Sequence, residues 1–295
     1  MGIGAVSLSH RDDRIDVARG ELTPFVTGEV AANAGVSAGL LRLDLALPRP
    51  VAFAPGQFAM LNLAGPGRLV FRRPFSIFAG EGATLSFLYR VVGRGTALLA
   101  ELGPGDRVDC LAPLGRPFPA PASDAPPALV LAGGVGLPPL HAWAARHGRA
   151  DDLVCFGGRD GADVPWGLLD DRWRVSVDRP DGLPAHRQAR VGLVTELAET
   201  LLADAPGPRR VLACGPTPLL RAAAAMARSR GWACHVSLEE HMGCGYGVCK
   251  GCVVPVLTPE EPGWRNATSC VEGPVFDAAT LDWERFGAPA AEGPA

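Results

Sequence analysis

The chain has no strong net charge, no long apolar run, no basic leader and no internal repeat. Its 28 Lys and Arg against 31 Asp and Glu leave a formal charge of −3, too little for the basic face that nucleic-acid binding needs. The longest apolar stretch, 126–140, is broken by Gly and Pro and is too short to cross a bilayer. The opening MGIGAVSLSHRDD lacks the basic flank and apolar core of an export signal. A cytoplasmic protein is therefore expected. No segment recurs at a fixed period, which excludes solenoids and propellers. What is present, 295 residues of which 47% are hydrophobic, suffices for one to three domains with real cores.

Eight cysteines need a reason. Without an export signal, disulfides are not expected. Cys110, Cys155, Cys214 and Cys234 are scattered and read as core residues. The other four cluster between 244 and 270.

Three zones succeed one another. Residues 1–122 read as β, with 1–20 a possible irregular arm. Short apolar runs at 40–47, 56–63, 72–78, 83–92 and 106–115 are bounded by Gly or Pro and predict a small antiparallel barrel. PAPASDAPP (119–127) reads as a linker. Over 123–233 strands alternate with helices: ALVLAGG, DLVCFGG, WRVSV and RRVLACGP against LPPLHAWAARHG, GLVTELAETLLAD and PLLRAAAAMARSRG. That rhythm predicts a parallel α/β sheet. Residues 234–295 are Gly- and Cys-rich, then Pro-rich, and read as a small third domain.

In the third zone HMGCGYGVCKGCVV places Cys244, Cys249 and Cys252 at C-x4-C-x2-C spacing, with Cys270 after 17 more residues. This is the plant-type arrangement of a [2Fe-2S] cluster. Three thiolates come from one tight loop, and Gly243, Gly245, Gly247 and Gly251 let the backbone approach the inorganic sulfides. A structural zinc site would usually present two knuckles, whereas one C-x2-C exists here. A zinc-stabilised, non-catalytic scaffold is the alternative of another class.

Arg73-Pro74-Phe75-Ser76 opens a strand of the β zone. Arg73 could offer a rigid fork to a pyrophosphate, and Ser76 a hydroxyl to a ring nitrogen. Taken alone, the motif is weak, and a surface Arg and a turn Ser explain it better. Leu88-Tyr89-Arg90 ends another strand, and Gly95-Thr96 sits in a Gly-containing turn that opens a helix, a phosphate-binding arrangement. Tyr89 could cover an aromatic ring or be an ordinary barrel aromatic. In the α/β zone Gly133, Gly134 and Gly136 follow a strand without completing G-x-G-x-x-G. Cys214-Gly215-Pro216 ends another strand. The two strand ends could face each other across the crevice where open α/β sheets bind ligands. Glu239 and Glu240 read as solvated, and His141, His147 and His235 as ordinary surface or core histidines.

Together these segments resemble the electron-transfer subunit of the NAD-linked class of dihydroorotate dehydrogenase, within the ferredoxin–NADP reductase superfamily. The resemblance spans roughly residues 25–285, and EEHMGCGYGVCKGCV with CVEGPVF is its most specific part. It implies that Arg73, Pro74, Phe75, Ser76, Leu88, Tyr89, Arg90, Gly95 and Thr96 bind FAD, with Ser76 near the flavin N5. It implies that Gly133, Gly134, Gly136, Cys214, Gly215 and Pro216 bind NAD, and that the four clustered cysteines hold [2Fe-2S]. It implies an FMN-containing catalytic partner that oxidises dihydroorotate to orotate in pyrimidine biosynthesis, two copies of each chain forming a heterotetramer. No zone remains for an organic substrate, which fits a subunit. A reductase component of an oxygenase, hydrogenase or sulfur reductase would carry similar motifs. Where the family has a TDDG-S-x-G loop, this chain reads SVDRPDGLPAHRQARVG (176–192), longer and Arg-rich. NADP stays open beside NAD, since Arg159 could meet a 2′-phosphate and Asp160 a ribose hydroxyl.

Overall fold

A computed structural model describes residues 25–63, 70–205, 207 and 209–287. The suggested N-terminal arm lies outside the described residues. Strands β1 (Phe25–Gly35), β2 (Leu41–Ala46), β3 (Phe58–Leu63), β4 (Arg73–Glu81), β5 (Thr84–Tyr89) and β6 (Arg107–Leu114), with helix α1 (Arg94–Ala100) between the last two, form the first unit. The strands close antiparallel in the order β1-β2-β5-β4-β3-β6, and closure leaves no open edge. Period-two alternation drives it. Leu43, Leu45, Leu61, Ile77, Leu85, Phe87 and Val108 point inward into one core. Arg42 and Asp44 point outward and pair at 2.7 Å.

Strands β2–β6 fall where the short runs predict them. Strand β1 has no such signal. FVTGEVAANAG buries only Gly28 and Val30, and its place is fixed by pairing with β2 on one side and β6 on the other. Asn33 then ties it to the helix segment, its Nδ2 donating to the Leu99 and Leu102 carbonyls at 2.9 and 3.0 Å.

The second unit runs β7 (Ala128–Gly133), α2 (Leu137–His147), β8 (Leu153–Gly158), β9 (Trp173–Val177), β10 (Arg190–Val191), α3 (Val194–Asp204), β11 (Arg210–Cys214), α4 (Thr217–Ser229) and β12 (Cys234–Ser237). Beyond it lie β13 (Val253–Leu257), β14 (Trp264–Thr268), α5 (Ser269–Glu272) and β15 (Val275–Asp277). The sheet order is β10-β9-β8-β7-β11-β12-β15, parallel except for the final antiparallel pair. Every residue of β7 is buried, as a central strand covered on both faces must be. Helices α3 and α4 cover one face. Helix α2 covers the other, and its Leu137, Leu140 and Trp143 share a core with Phe78, Leu88 and Phe118 of the barrel side.

A boundary at 233/234 does not match the sheet. Strands β12 and β15 both belong to it, because Val236 and Phe276 bury in the same core as Leu220 and Ala223 of α4. The cysteine segment is thus an excursion that leaves the sheet and returns to it.

Candidate electron-transfer site

The excursion brings the four clustered thiols together as two pairs. The Cys249 N–H points at the Cys244 sulfur at 3.5 Å, and the Cys270 N–H at the Cys252 sulfur at 3.4 Å. Burial alone would raise the Cys244 thiol, but the N–H groups of Cys249, Tyr246 and Val248 and the Cys249 side chain outweigh it and bring it down to about 7. Cys270 is pushed up to about 12 by burial and by the neighbouring Cys252 thiol, a repulsion that a cation between them would relieve. Among the described residues no three ligand side chains draw tight around a single point. Paired thiols are compatible with two irons, each taking two thiolates. Gly245 has φ +86°, and a Cβ there would lie 2.4 Å from Cγ of Met60. The scattered cysteines behave as core: Cys110, Cys155 and Cys234 are buried and their thiols are pushed up to about 12 by burial.

On the barrel, Arg73 and Gly95 come together, the ideal Cβ position of Gly95 being 2.7 Å from Arg73 Nε. They line a shallow surface cleft with Asn62, Phe75 and Leu99. Asn62 Oδ1 is buried there without a partner, so the cleft holds a polar demand that a bound group would meet. Thr96 Oγ1 accepts from the Val92 and Gly93 N–H groups at 2.9 and 3.2 Å, which fixes the turn rather than pointing outward. Pro74 and Ser76 are half-buried on β4, opposite Met60 and Phe58 of β3.

Two of the expected side chains make contacts within the protein. The Tyr89 ring is buried inside the barrel, stacks edge-on to Phe75 at 6.0 Å, and donates its hydroxyl to Asn33. Arg90 does not reach into free space. It donates to Asp163 of the nucleotide unit at 2.8 Å, and Asp163 is 5% exposed. Leu88 is buried in the core shared with α2. Sequence reasoning missed Asn62 and Asp163, and neither carries a motif. Only the outward register of Asn62 in GQFAMLNL hinted at it.

In the sheet, successive connections run outward from β7 through β8 and β9 on one side and from β11 to β12 on the other. The switch point lies between β7 and β11, where open sheets bind ligands. The two glycine turns meet there. A Cβ on Gly136 would lie 2.2 Å from the Cys214 carbonyl oxygen, and one on Gly215 3.1 Å from Gly133 Cα. Gly134 is half-buried, and Pro216 packs against Gly133. Cys214 pairs with Ser237 across the strands, and burial pushes its thiol up to about 12. Around the neighbouring strand ends, Arg159 bonds Asp163 and Arg179 bonds Asp160.

Residues 239–282 match a family model described as the iron–sulfur cluster binding domain of dihydroorotate dehydrogenase B. The fold is similar to the structure described in "Insights into flavin-based electron bifurcation via the NADH-dependent reduced ferredoxin-NADP oxidoreductase structure". The TM-score is 0.71 at 23% identity, over 88% of this chain and 91% of that one. A closed barrel, a sheet with a switch-point crevice and a four-thiol loop that matches an iron–sulfur domain together define the class of fold to which the chain belongs. The chain is also 35% identical to the dihydroorotate dehydrogenase B (NAD(+)) electron transfer subunit of Geobacillus kaustophilus over 77% of its length and 86% of that protein. It is 31% identical to the probable subunit of the same name from Methanopyrus kandleri over 89% and 94%. The chain belongs to the family of electron-transfer subunits of NAD-linked dihydroorotate dehydrogenase B.

Proposed function

We propose that the chain carries electrons from an FMN-containing catalytic partner, which oxidises dihydroorotate to orotate, to NAD+ in pyrimidine biosynthesis. The observation that carries this is the pairing of four thiols on the outer side of β3, one strand from Ser76 and Pro74. Cys244, Cys249, Cys252 and Cys270 hold [2Fe-2S]. Arg73, Phe75, Ser76, Gly95 and Asn62 seat FAD, with the backbone of 88–90 beside them. The turns at Gly133–Gly136 and Cys214–Pro216 seat NAD. When bound, the flavin takes two electrons as a hydride while the cluster passes one at a time, so the chain converts between nicotinamide and one-electron chemistry. Tyr246 and Val248, 53% and 73% exposed beside the thiols, support a partner face there. The complex is proposed as a heterotetramer of two copies of each chain.

The test is to purify the chain alone and again with whatever it captures natively. Alone, it should reduce a dye with NADH and fail to oxidise dihydroorotate; together with a flavin-containing dihydroorotate-binding partner it should reduce NAD+ on dihydroorotate. Capture of an oxygenase or hydrogenase component instead, or dihydroorotate turnover by the single chain, would overturn the proposal.

A further inference from the structure

Strand β3 has two jobs on its two faces. Ala59, Leu61 and Leu63 fill the barrel interior. Phe58 and Met60 face outward into a separate small core with Leu114, Met242, Cys252 and Cys270. The outer face of β3 is therefore the floor on which the cysteine loop rests. The neighbouring strand β4 presents Pro74 opposite Met60 and Ser76 opposite Phe58, and directly opposed side chains on one sheet face stand only about 5 Å apart at Cβ. Met60 is fully buried. Its stem lies so close to Gly245 that an added Cβ would be 2.4 Å from its Cγ and 3.0 Å from its Sδ. Gly245 directly follows Cys244. One side chain thus touches the cysteine loop at its first ligand and neighbours the strand that carries the flavin motif.

We propose that Met60 is a positioning residue that sets the separation between the flavin seat and the cluster and fills the space between them. This rests on the assignment of flavin and cluster made above. Electronic coupling falls steeply with distance and with each unfilled gap. A packed thioether holds the loop at contact distance, whereas a void there has no atoms to hold it. The unbranched, polarisable side chain suits an irregular space between a strand and a loop. The left-handed conformation of Gly245 and its missing Cβ are the loop's side of the same fit.

The experiment compares the full chain, loaded anaerobically, with Met60→Ala and Met60→Leu. Iron and sulfide content, the EPR signal and midpoint potential of the reduced cluster, and the stopped-flow rates of flavin and then cluster reduction by NADH are measured. In Met60→Ala flavin reduction should be unchanged, cluster reduction should slow by about tenfold or more, as expected for ångström-scale misplacement, and the EPR signal or potential should shift. Met60→Leu, which conserves volume, should restore the rate to within about threefold. If the alanine variant sheds iron, Met60→Val, which lacks the sulfur and terminal methyl, must show the slowing. Wild-type transfer in a fully loaded Met60→Ala or Met60→Val protein overturns the inference while leaving the functional assignment intact. A wild-type chain whose cluster is never reduced from NADH overturns both.

Discussion

Asp163 shows what a single side chain does here. It is buried at the junction of the two large units and accepts from the Arg90 guanidinium and from the N–H and side chain of Arg159. Burial by itself would raise its carboxyl; the hydrogen bonds from Arg90 and Arg159 override that and hold it below the usual carboxylate range. A depressed folded-state value stabilises the fold above the unfolded value, near about 4, and that contribution is lost as pH falls through the folded one. Asp163→Asn should therefore destabilise the protein by about 1–3 kcal/mol at neutral pH, because it leaves a largely buried guanidinium without its charge partner. The difference from wild type in thermal midpoint should be full at pH 7 and shrink below about pH 4; a difference that grows on acidification would contradict the pairing. The cysteines give a second residue-scale prediction. Cys249→Ser should end electron transfer to or from the partner while NADH still reduces the flavin, read by absorbance on one sample. Loss of flavin reduction with FAD still bound would reverse the assigned order.

The elements divide by how loudly their sequences speak. β7 reads ALVLAG and is buried throughout, and α4, opening at Thr217 and Pro218, buries Leu220, Ala223, Met226 and Ala227 on one face. Both are evident from hydrophobic period alone. β1 is not, since its placement comes from two partner strands. The meeting of the β7–α2 and β11–α4 turns was foreseeable as a possibility and is decided by close packing. A Cβ at Gly136 would strike the backbone of Cys214, which cannot give way as a flexible side chain would. Gly136→Ala should force the turns apart. KM for NADH should rise by more than the dye-linked turnover falls, and the thermal midpoint should drop; an unchanged KM would show that the crevice lies elsewhere.

At the scale of the whole molecule, the cysteine segment is held at both ends by the seven-stranded sheet, through β12 and β15, and in the middle by β3 and β6, through Met60 and Leu114. That anchoring predicts that metal binding orders the loop and leaves the sheet unaffected. Removing iron with a chelator should therefore raise amide hydrogen exchange across 243–252 and 269–271 while β7, β11 and β12 keep their protection. Exchange rising together across the sheet would mean that the cluster holds up the entire second unit. No helix among the described residues is long and apolar enough to cross a membrane.

The amino-acid order alone determined the elements with strong periodicity and the chemistry carried by spacing: four thiols at ferredoxin-like intervals, and glycines where backbone must approach sulfur or another turn. Those signals are local, so one stretch of chain suffices to display them. Barrel closure by β1, the burial of Tyr89, the Arg90–Asp163 bond, the unpartnered Asn62 oxygen and the seating of the cysteine loop on Met60 were decided by the tertiary structure. Each joins segments far apart in the chain, and a contact between distant segments leaves no periodic mark in either.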